Sequence, residues 1–600
     1  MDRKLGLTVR ATAAGLLASA SLMALPSAAH AATYTISAIQ GTTRISPYNG
    51  STVTTTGIVT AIRSTGSSRG FWIQSASGDG NAATSDAIFV YTGSSTPNTA
   101  VGNSITITGR VSEYIPGGTS SGNQSLTELG SASWSTNSTG NALPAAVTIS
   151  DATVPATYTR TNSGGSINSF TLDPTAYALD YYESLEGMRV SVGSTPVVGP
   201  TNAYNEMWVN VKPAQLNSVR GGSLYSSYNS QNSGRLQITT LLSSAFPTAT
   251  VGDTISGATG VLDYSAYGGY SLNATSVGTL TSGGVGKETT AAQSAGQLSV
   301  ATYNVENLDP TDPASKFSAL AQGIVNNLKS PDIVALEEVQ DNDGPADNGV
   351  VSATTTLSML TSAIRTAGGP AYSYTQINPR NDTDGGEPGG NIRQVLLYNP
   401  ARVGFTARGN ATATTANSVT SVGGVAQLTY NPGRIAPANS AWSASRKPLA
   451  AEFTFGGQKY FVIANHFVSK GGDYALHSQY QPPTRSSETQ RGSQGSVENS
   501  FVDSILAAQS DAHVIVLGDL NDFPFSTAVS NLEGGVLTDL VDTLPASEQY
   551  TYVYDGNSQV LDHTLVSSSI TSHDYDIVHI NSEFSDQTSD HDPQVVRITP

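Results

Sequence analysis

Five short polar islands carry the residue types that could do chemistry: Asn304-Val-Glu306, Glu337-Glu338, Asn465-His466, Gly518-Asp519-Leu-Asn521 and Ser589-Asp590-His591. Together they offer carboxylates, amides and two imidazoles. The chain has no cysteine, which removes thiolate metal sites and cysteine nucleophiles. An oxygen-rich donor set suits a hard divalent cation. Imidazoles that titrate near ambient pH suit proton transfer at a phosphate ester. The islands are spread over nearly 300 residues, so only a folded domain can bring them together.

Each island adjoins an apolar, strand-like run. Such runs include Leu298-Ser-Val-Ala-Thr-Tyr303, Asp332-Ile-Val-Ala-Leu336, Val395-Leu-Leu-Tyr398, Tyr460-Phe-Val-Ile-Ala464, His513-Val-Ile-Val-Leu517 and Val595-Val-Arg-Ile598. Helical periodicity lies between some of them, over 316–328, 354–367 and 497–508. Strands and helices interspersed over 297–600 predict a layered α/β domain with the islands at strand ends. Upstream, residues 32–282 are rich in Thr, Ser, Gly and Val with short alternating runs, the pattern of all-β structure. A weak repeat relates Val101-Gly-Asn-Ser-Ile to Val251-Gly-Asp-Thr-Ile. It predicts two small barrels of one type, at 32–150 and, as a weaker match or a variant, at 151–282, and a small polar linker at 283–296.

Residues 1–31 read as an export signal: Arg3, Lys4 and Arg10, then an Ala- and Leu-rich run, then Ala29-His30-Ala31 as a cleavage site. A secreted, extracellular protein is therefore expected, without a membrane span and without a sorting tail at Pro600. Charge is uneven. The whole chain is net −18, and residues 299–600 hold thirty-two acids against fifteen bases. All seven histidines beyond the signal also fall in this C-terminal half. Titratable chemistry is concentrated there.

The order and wording of the islands resemble the endonuclease/exonuclease/phosphatase superfamily, which includes deoxyribonuclease I and exonuclease III. Thr302-Tyr-Asn-Val-Glu306, Ile333-Val-Ala-Leu-Glu-Glu-Val339, Gly518-Asp-Leu-Asn521 and Ser589-Asp-His591 are similar to successive family motifs. With a signal and an OB-like module ahead of it, the chain resembles the ExeM/NucH-like secreted bacterial nucleases. The resemblance implies a four-layered sandwich of two packed β-sheets flanked by helices. It implies a secreted hydrolase that cuts phosphodiesters, with DNA (or RNA) as substrate, Mg²⁺ or Mn²⁺ as cofactor and a monomeric state. A phosphomonoesterase or phospholipase-type phosphodiesterase of the same superfamily is the alternative, and a non-catalytic adhesin the third reading.

Roles follow residue by residue from that resemblance. Glu338, Asp590 and Glu306 are the expected metal ligands. His591 is the expected base, oriented by Asp562, with Asp519 positioning the water or metal. Asn304 and Asn521 are expected at phosphate, as are Arg446 and Arg393. His466 matches a second catalytic histidine of the deoxyribonuclease I branch, but no acid stands at the aligned position in Ile392-Arg393-Gln394 to support it. Glu337 replaces the family's usual glutamine, as an added cation ligand or a solvated side chain. His563 is expected in packing or a surface turn. Asp341-Asn-Asp343-Gly344 and Asp382-Thr-Asp384-Gly-Gly-Glu387 have oxygen spacing suited to structural Ca²⁺, without a full EF-hand pattern. Phe71, Trp72, Phe89 and Tyr91 in the first barrel could stack bases, although Phe89 and Tyr91 sit within an aliphatic run, which favours core packing.

Overall fold

The computed structural model describes residues 31–242 and 246–600. The export-signal reading of residues 1–31 falls almost wholly outside them. Among the described residues, no helix is long and apolar enough to cross a membrane.

The first β unit closes on itself. Strand Thr52–Arg63 pairs with Arg69–Gln74 on one side and Ser104–Tyr114 on the other. Ala87–Gly93 and Leu126–Ser138 complete the ring, in parallel to each other. Alternation fills the interior with Val53, Val59, Phe71, Ile73, Val90, Ile105 and Ile107. The second unit does not repeat this closure. It is a nine-stranded sheet with Leu280–Thr281 at one end and Val147–Ile149 at the other, and no pairing between those ends is seen among the described residues. The repeated Val-Gly-Asn/Asp turns precede strands in both units, but the strands they lead into pair differently.

Three of the four barrel aromatics are buried, and Tyr91 is partly exposed. Phe71 points inward, while Trp72 and Phe89 pack with Ala61 on the outer face against Val261 of the second unit. Arg63 forms an ion pair with Asp263 across the same seam. Trp72 and Phe89 are therefore interface residues, sealed from any base. The segment 283–296 has no regular structure, yet it is tied down. Glu288 accepts from Arg220 at 2.8 Å and from the His579 N–H at 3.1 Å, and the Thr290 hydroxyl donates to Asp576 at 2.6 Å.

The C-terminal half contains two sheets laid face to face. One runs, edge to edge, Ser373–Thr375, Arg393–Tyr398, Ile333–Val339, Leu298–Leu308, Gln594–Ile598 and His573–Ile577. The other is built on Leu449–Phe455, Gln458–His466, His513–Asp519 and Asp562–Ser567. Their inner faces share one core, including Leu298, Val300, Ile333, Ala335, Val462, Ala464, Ile515 and Leu517. The outer face of the first sheet packs on helices Ala314–Gln322 and Thr354–Thr366, and that of the second on Glu488–Ala508 and Thr527–Glu533. The result is the expected four layers. Helix Glu488–Ala508 begins nine residues before its apolar pattern. Those nine residues bury Arg491 and Gln494, so hydrophobic periodicity could not mark its start.

Candidate active site

Period-two alternation places the polar islands. Along Gln458–His466, Val462 and Ala464 face the inter-sheet core, and His466 continues that face. Asp519 follows Ile515 and Leu517 in the same way, and Asp562 lies on the inner face with Val566. Register makes His466 and Asp519 cross-strand partners, and likewise Asp519 and Asp562. Three chemistry-bearing side chains thus stand in a row where the apolar layer ends. From the facing sheet, Asn304 closes the row by donating to Asp519 Oδ2 at 3.3 Å and to Glu338 Oε1 at 3.2 Å.

Glu338 reaches the row through a break in the strand. Alternation sends Glu337 into the inter-sheet layer and would turn Glu338 toward the helices. Glu338 instead adopts φ 61, and the ladder slips on both sides of it. A left-handed residue at a bulge re-aims the side chain. Glu306 and Asn307 on the next strand also have positive φ, and the Asn307 N–H donates to Glu338 Oε2 at 3.0 Å. Strained backbone at three neighbouring residues marks a constrained pair of strand ends.

Glu337 corrects the sequence reading. It is fully buried and accepts from the Thr302 hydroxyl at 2.8 Å. Burial, with Asp562 and Asp519 nearby, holds its carboxyl well above the ordinary range despite that hydrogen bond. It is buried and hydrogen-bonded within the inter-sheet layer, not a solvated side chain. A protonated carboxyl has nearly the shape and donor–acceptor pattern of the glutamine it replaces.

His591 Nδ1 lies 2.7 Å from Asp562 Oδ2, leaving Nε2 between Asp519 and Asp590 at 3.9 Å from each. Burial acts to lower its pKa, but the Asp562, Asp519 and Asp590 charges outweigh it and hold the imidazole well above its usual value. The loop bearing it is locked by its neighbours. The Ser589 hydroxyl donates to the Asn304 carbonyl at 2.7 Å, and Asp592 accepts from the N–H groups of Ile580, Asn581 and Ser582. Tyr552 lays its ring 4.7 Å from the His591 ring. Neither Asp592 nor Tyr552 was identified from sequence. The Tyr-x-Tyr alternation at 552–554 was the available signal for the latter.

His466 Nε2 stands 3.5 Å from Asp519 and 3.7 Å from Glu338, while its buried Nδ1 has no partner. Burial first, then the charges of Arg446 and His591, holds it well below its ordinary pKa in spite of those carboxylates. It is a neutral imidazole, and no acid supports Nδ1. At the aligned position, Gln394 holds the backbone instead. With its amide oxygen toward the strand it accepts from the His466 N–H at 3.1 Å.

Asp519 is pushed up first by burial and further by Asp562 and Glu338, against His591. Its Oδ1 accepts from the Asn521 N–H at 2.8 Å, and Asn521 Nδ2 lies 3.2 Å from Oδ2. Glu306 is pushed up to about 7, chiefly by burial and then by Asp590 and Glu338. Carboxylates crowded until they resist ionisation are the setting a cation relieves. Two sets of ligand atoms lie close enough to share one ion: Glu338, His466 and Asp519, and Asp519, Asp562 and His591. Asp590 and Glu306 stand just outside these tight sets.

The other expected site residues divide. Arg446 is buried beneath the row, donates to the Phe467 carbonyl and keeps an unpartnered Nε. Arg393 is turned away. It is 1% exposed and spends its guanidinium on the Val351 and Asn391 carbonyls and on Asn378, so phosphate cannot reach it. His563 lies on the outer face of its strand, opposite Asp562, and is clamped between Asp539 at 2.6 Å and the Asp522 carbonyl at 2.9 Å. It is buried, not in a surface turn. The acidic loops are also committed. Asp384 pairs with Arg434 and Lys447, and Asp341 accepts from Asn391 and the Asp343 N–H. Neither loop forms a metal-ligand group among the described residues.

Residues 301–591 match the model of the Endonuclease/Exonuclease/phosphatase family. The C-terminal half is an endonuclease/exonuclease/phosphatase superfamily domain. Residues 147–282 match a second family, described as a domain of unknown function (DUF8508). No curated protein matches the chain. Similar solved structures include D. rerio TDP2 complexed with single strand DNA product, at 19% identity over 51% of this chain and 99% of that one, with a TM-score of 0.32. The human Nocturnin catalytic domain with bound sulfate is 15% identical over 51% of this chain and 96% of its own, with a TM-score of 0.33. An endonuclease/exonuclease/phosphatase from Bacteroides vulgatus is 14% identical over 50% and 98%, with a TM-score of 0.32.

Proposed function

We propose that the protein is a secreted nuclease that hydrolyses phosphodiesters of extracellular DNA with a divalent cation. The observation that carries this reading is the His591–Asp562 pair, 2.7 Å apart, set against a row of crowded carboxylates. Asp562 fixes the tautomer of His591, and a cation held by the neighbouring carboxylates would offset the charges that raise its pKa, leaving Nε2 to take the proton of the attacking water. Glu338, Asp590 and Glu306, with Asp519, supply the oxygens that would hold Mg²⁺ or Mn²⁺. The cation, when bound, neutralises charge that develops on the phosphate. Asn304 and Asn521 fix Asp519 and offer amide donors to phosphate oxygens. His466, with Nε2 3.5 Å from Asp519 and its pKa held well below the ordinary value, would offer an N–H to a phosphate oxygen at the row instead of acting as a charged acid. Arg446 adds a fixed positive charge from below.

A cation site of this kind accounts for polyanion cleavage by an acidic domain, because the local field is set by the ion. Weak, sequence-independent substrate binding follows. The closed five-strand order of the first unit supports the OB-like reading of residues 32–150, and the second unit is treated as a distinct β domain ending near 282. Export rests on the leader alone; mass spectrometry of protein from culture medium should find a chain beginning at Ala32. Offering the purified protein plasmid DNA, RNA, sphingomyelin and phosphosugars decides among superfamily activities. We expect hydrolysis of DNA above the rest, and release of phosphate from phosphosugars alone would overturn the nuclease reading.

A further inference from the structure

A cleft of about 1020 Å³ lies between the second β unit and the C-terminal domain. Its inner end is lined by Asn521 and Tyr552, the residues that touch Asp519 and His591. From there it runs outward over the hairpin Tyr552–Tyr554/Asn557–Gln559. Alternation puts Tyr552 and Tyr554 on one face of that hairpin, with rings 6.4 Å apart and 19° from parallel. Tyr554 is 54% exposed, and among the described residues its ring has no other close aromatic partner. A bare aromatic continuing a row that starts at the His591 ring is an open stacking platform.

The opposite wall comes from the second unit, with Tyr225, Tyr228 and the amides of Gln231 and Asn232. Both flanks are tied. Asn232 donates to Asn557 at 2.8 Å and the Tyr225 N–H to the Ser558 carbonyl at 2.8 Å, while the Tyr228 hydroxyl donates to Glu488 at 3.0 Å. The charges at the lining are balanced: Lys470 and Arg485 are paired with Asp522 and Glu488, and two acids, Asp473 and Asp555, stand beside them. The cleft thus offers rings and amides, and no basic track. Such a surface binds base faces and base edges of an unpaired strand more than phosphates. Its volume sits at the upper end for a small-ligand pocket, room for a few nucleotides of one strand.

We infer that this cleft is a base-stacking subsite for an unpaired polynucleotide strand next to the scissile phosphate, with Tyr554 as its platform and the second β unit as its roof. The inference rests on the nuclease reading but is tested apart from it. Anisotropy of a fluorescein-labelled oligothymidylate, read with the full-length protein in EDTA, measures binding without cleavage. Tyr554→Ala should weaken the Kd at least fivefold, at the lower end of what one stacked base contributes, and Tyr554→Phe should bind within twofold of the native protein. A blunt duplex should bind at least tenfold more weakly than the single strand, and the single-strand Kd should change little with salt. Unchanged binding in Tyr554→Ala, equal affinity for the duplex, or no binding by the native protein would each overturn the subsite. Hydrolysis of bis(p-nitrophenyl) phosphate with Mn²⁺ reports the catalytic row separately. It should be the same in Tyr554→Ala, and its loss in that variant would show that Tyr554 supports the row and not a base. Failure of the native protein to hydrolyse that diester bears on the nuclease reading alone.

Discussion

At the residue scale, neighbouring side chains with the same chemistry have opposite fates because strand alternation separates them. Asp562 turns inward to His591, while His563 turns outward to Asp539. Glu337 is buried with its carboxyl held well above the ordinary range, and Glu338 escapes to the rim through positive φ. Glu337→Gln should therefore leave kcat within about threefold and Tm unchanged or slightly raised, since glutamine keeps the acceptor for Thr302 and carries no latent charge. Steady-state kinetics and thermal melts check this. Asp562→Ala should lower kcat by about 10²–10⁴-fold with little change in KM, as expected for an orienting partner of a general base. Motif wording made Glu338, Asp519, Asp562 and His591 legible from sequence. It could not show which arginine faces the site, because Arg393 and Arg446 both flank strands and only packing decides where a guanidinium goes.

At the element scale, the strands that carry the site are continuous apolar runs buried on both faces, so their existence was plain in the sequence. The helix behind them was only half legible, because its first turns bury Arg491 and Gln494 in place of apolar residues. Glu498 is fully buried, accepts from Asn465 at 2.9 Å and has its pKa pushed up to about 8 by burial. It backs the strand that ends at His466. The native state favours its neutral form, so between about 4.5 and 8 the folded protein binds the extra proton. This contribution is full at low pH and is lost as pH rises through that window. Glu498→Gln should remove the loss. The variant should match the native protein near pH 5 and exceed it by about 1–3 kcal/mol at pH 8, read from denaturant melts at the two pH values. A gap that closes as pH rises would contradict the assignment.

At the scale of the whole molecule, three units are joined by buried contacts. The barrel meets the second unit through Trp72, Phe89 and Val261, and meets the C-terminal domain where Gln124 donates to the His477 carbonyl at 2.8 Å. Composition distinguished a β-rich front from an α/β rear. It could not reveal that aromatics able to stack bases are used as seams, nor that the polar 283–296 segment is anchored, because both depend on contacts between distant parts of the chain. The sequence repeat also misled: similar turns open strands in two sheets with different pairing. All of this architecture converges on one row of carboxylates and imidazoles. The direct test of that row is nicking of supercoiled plasmid by the purified protein with Mg²⁺ or Mn²⁺, with EDTA, and in His591→Ala. Nicking that requires the cation and falls at least a hundredfold in the variant is the predicted result. Nicking that persists in EDTA, or at native rate without His591, would contradict it.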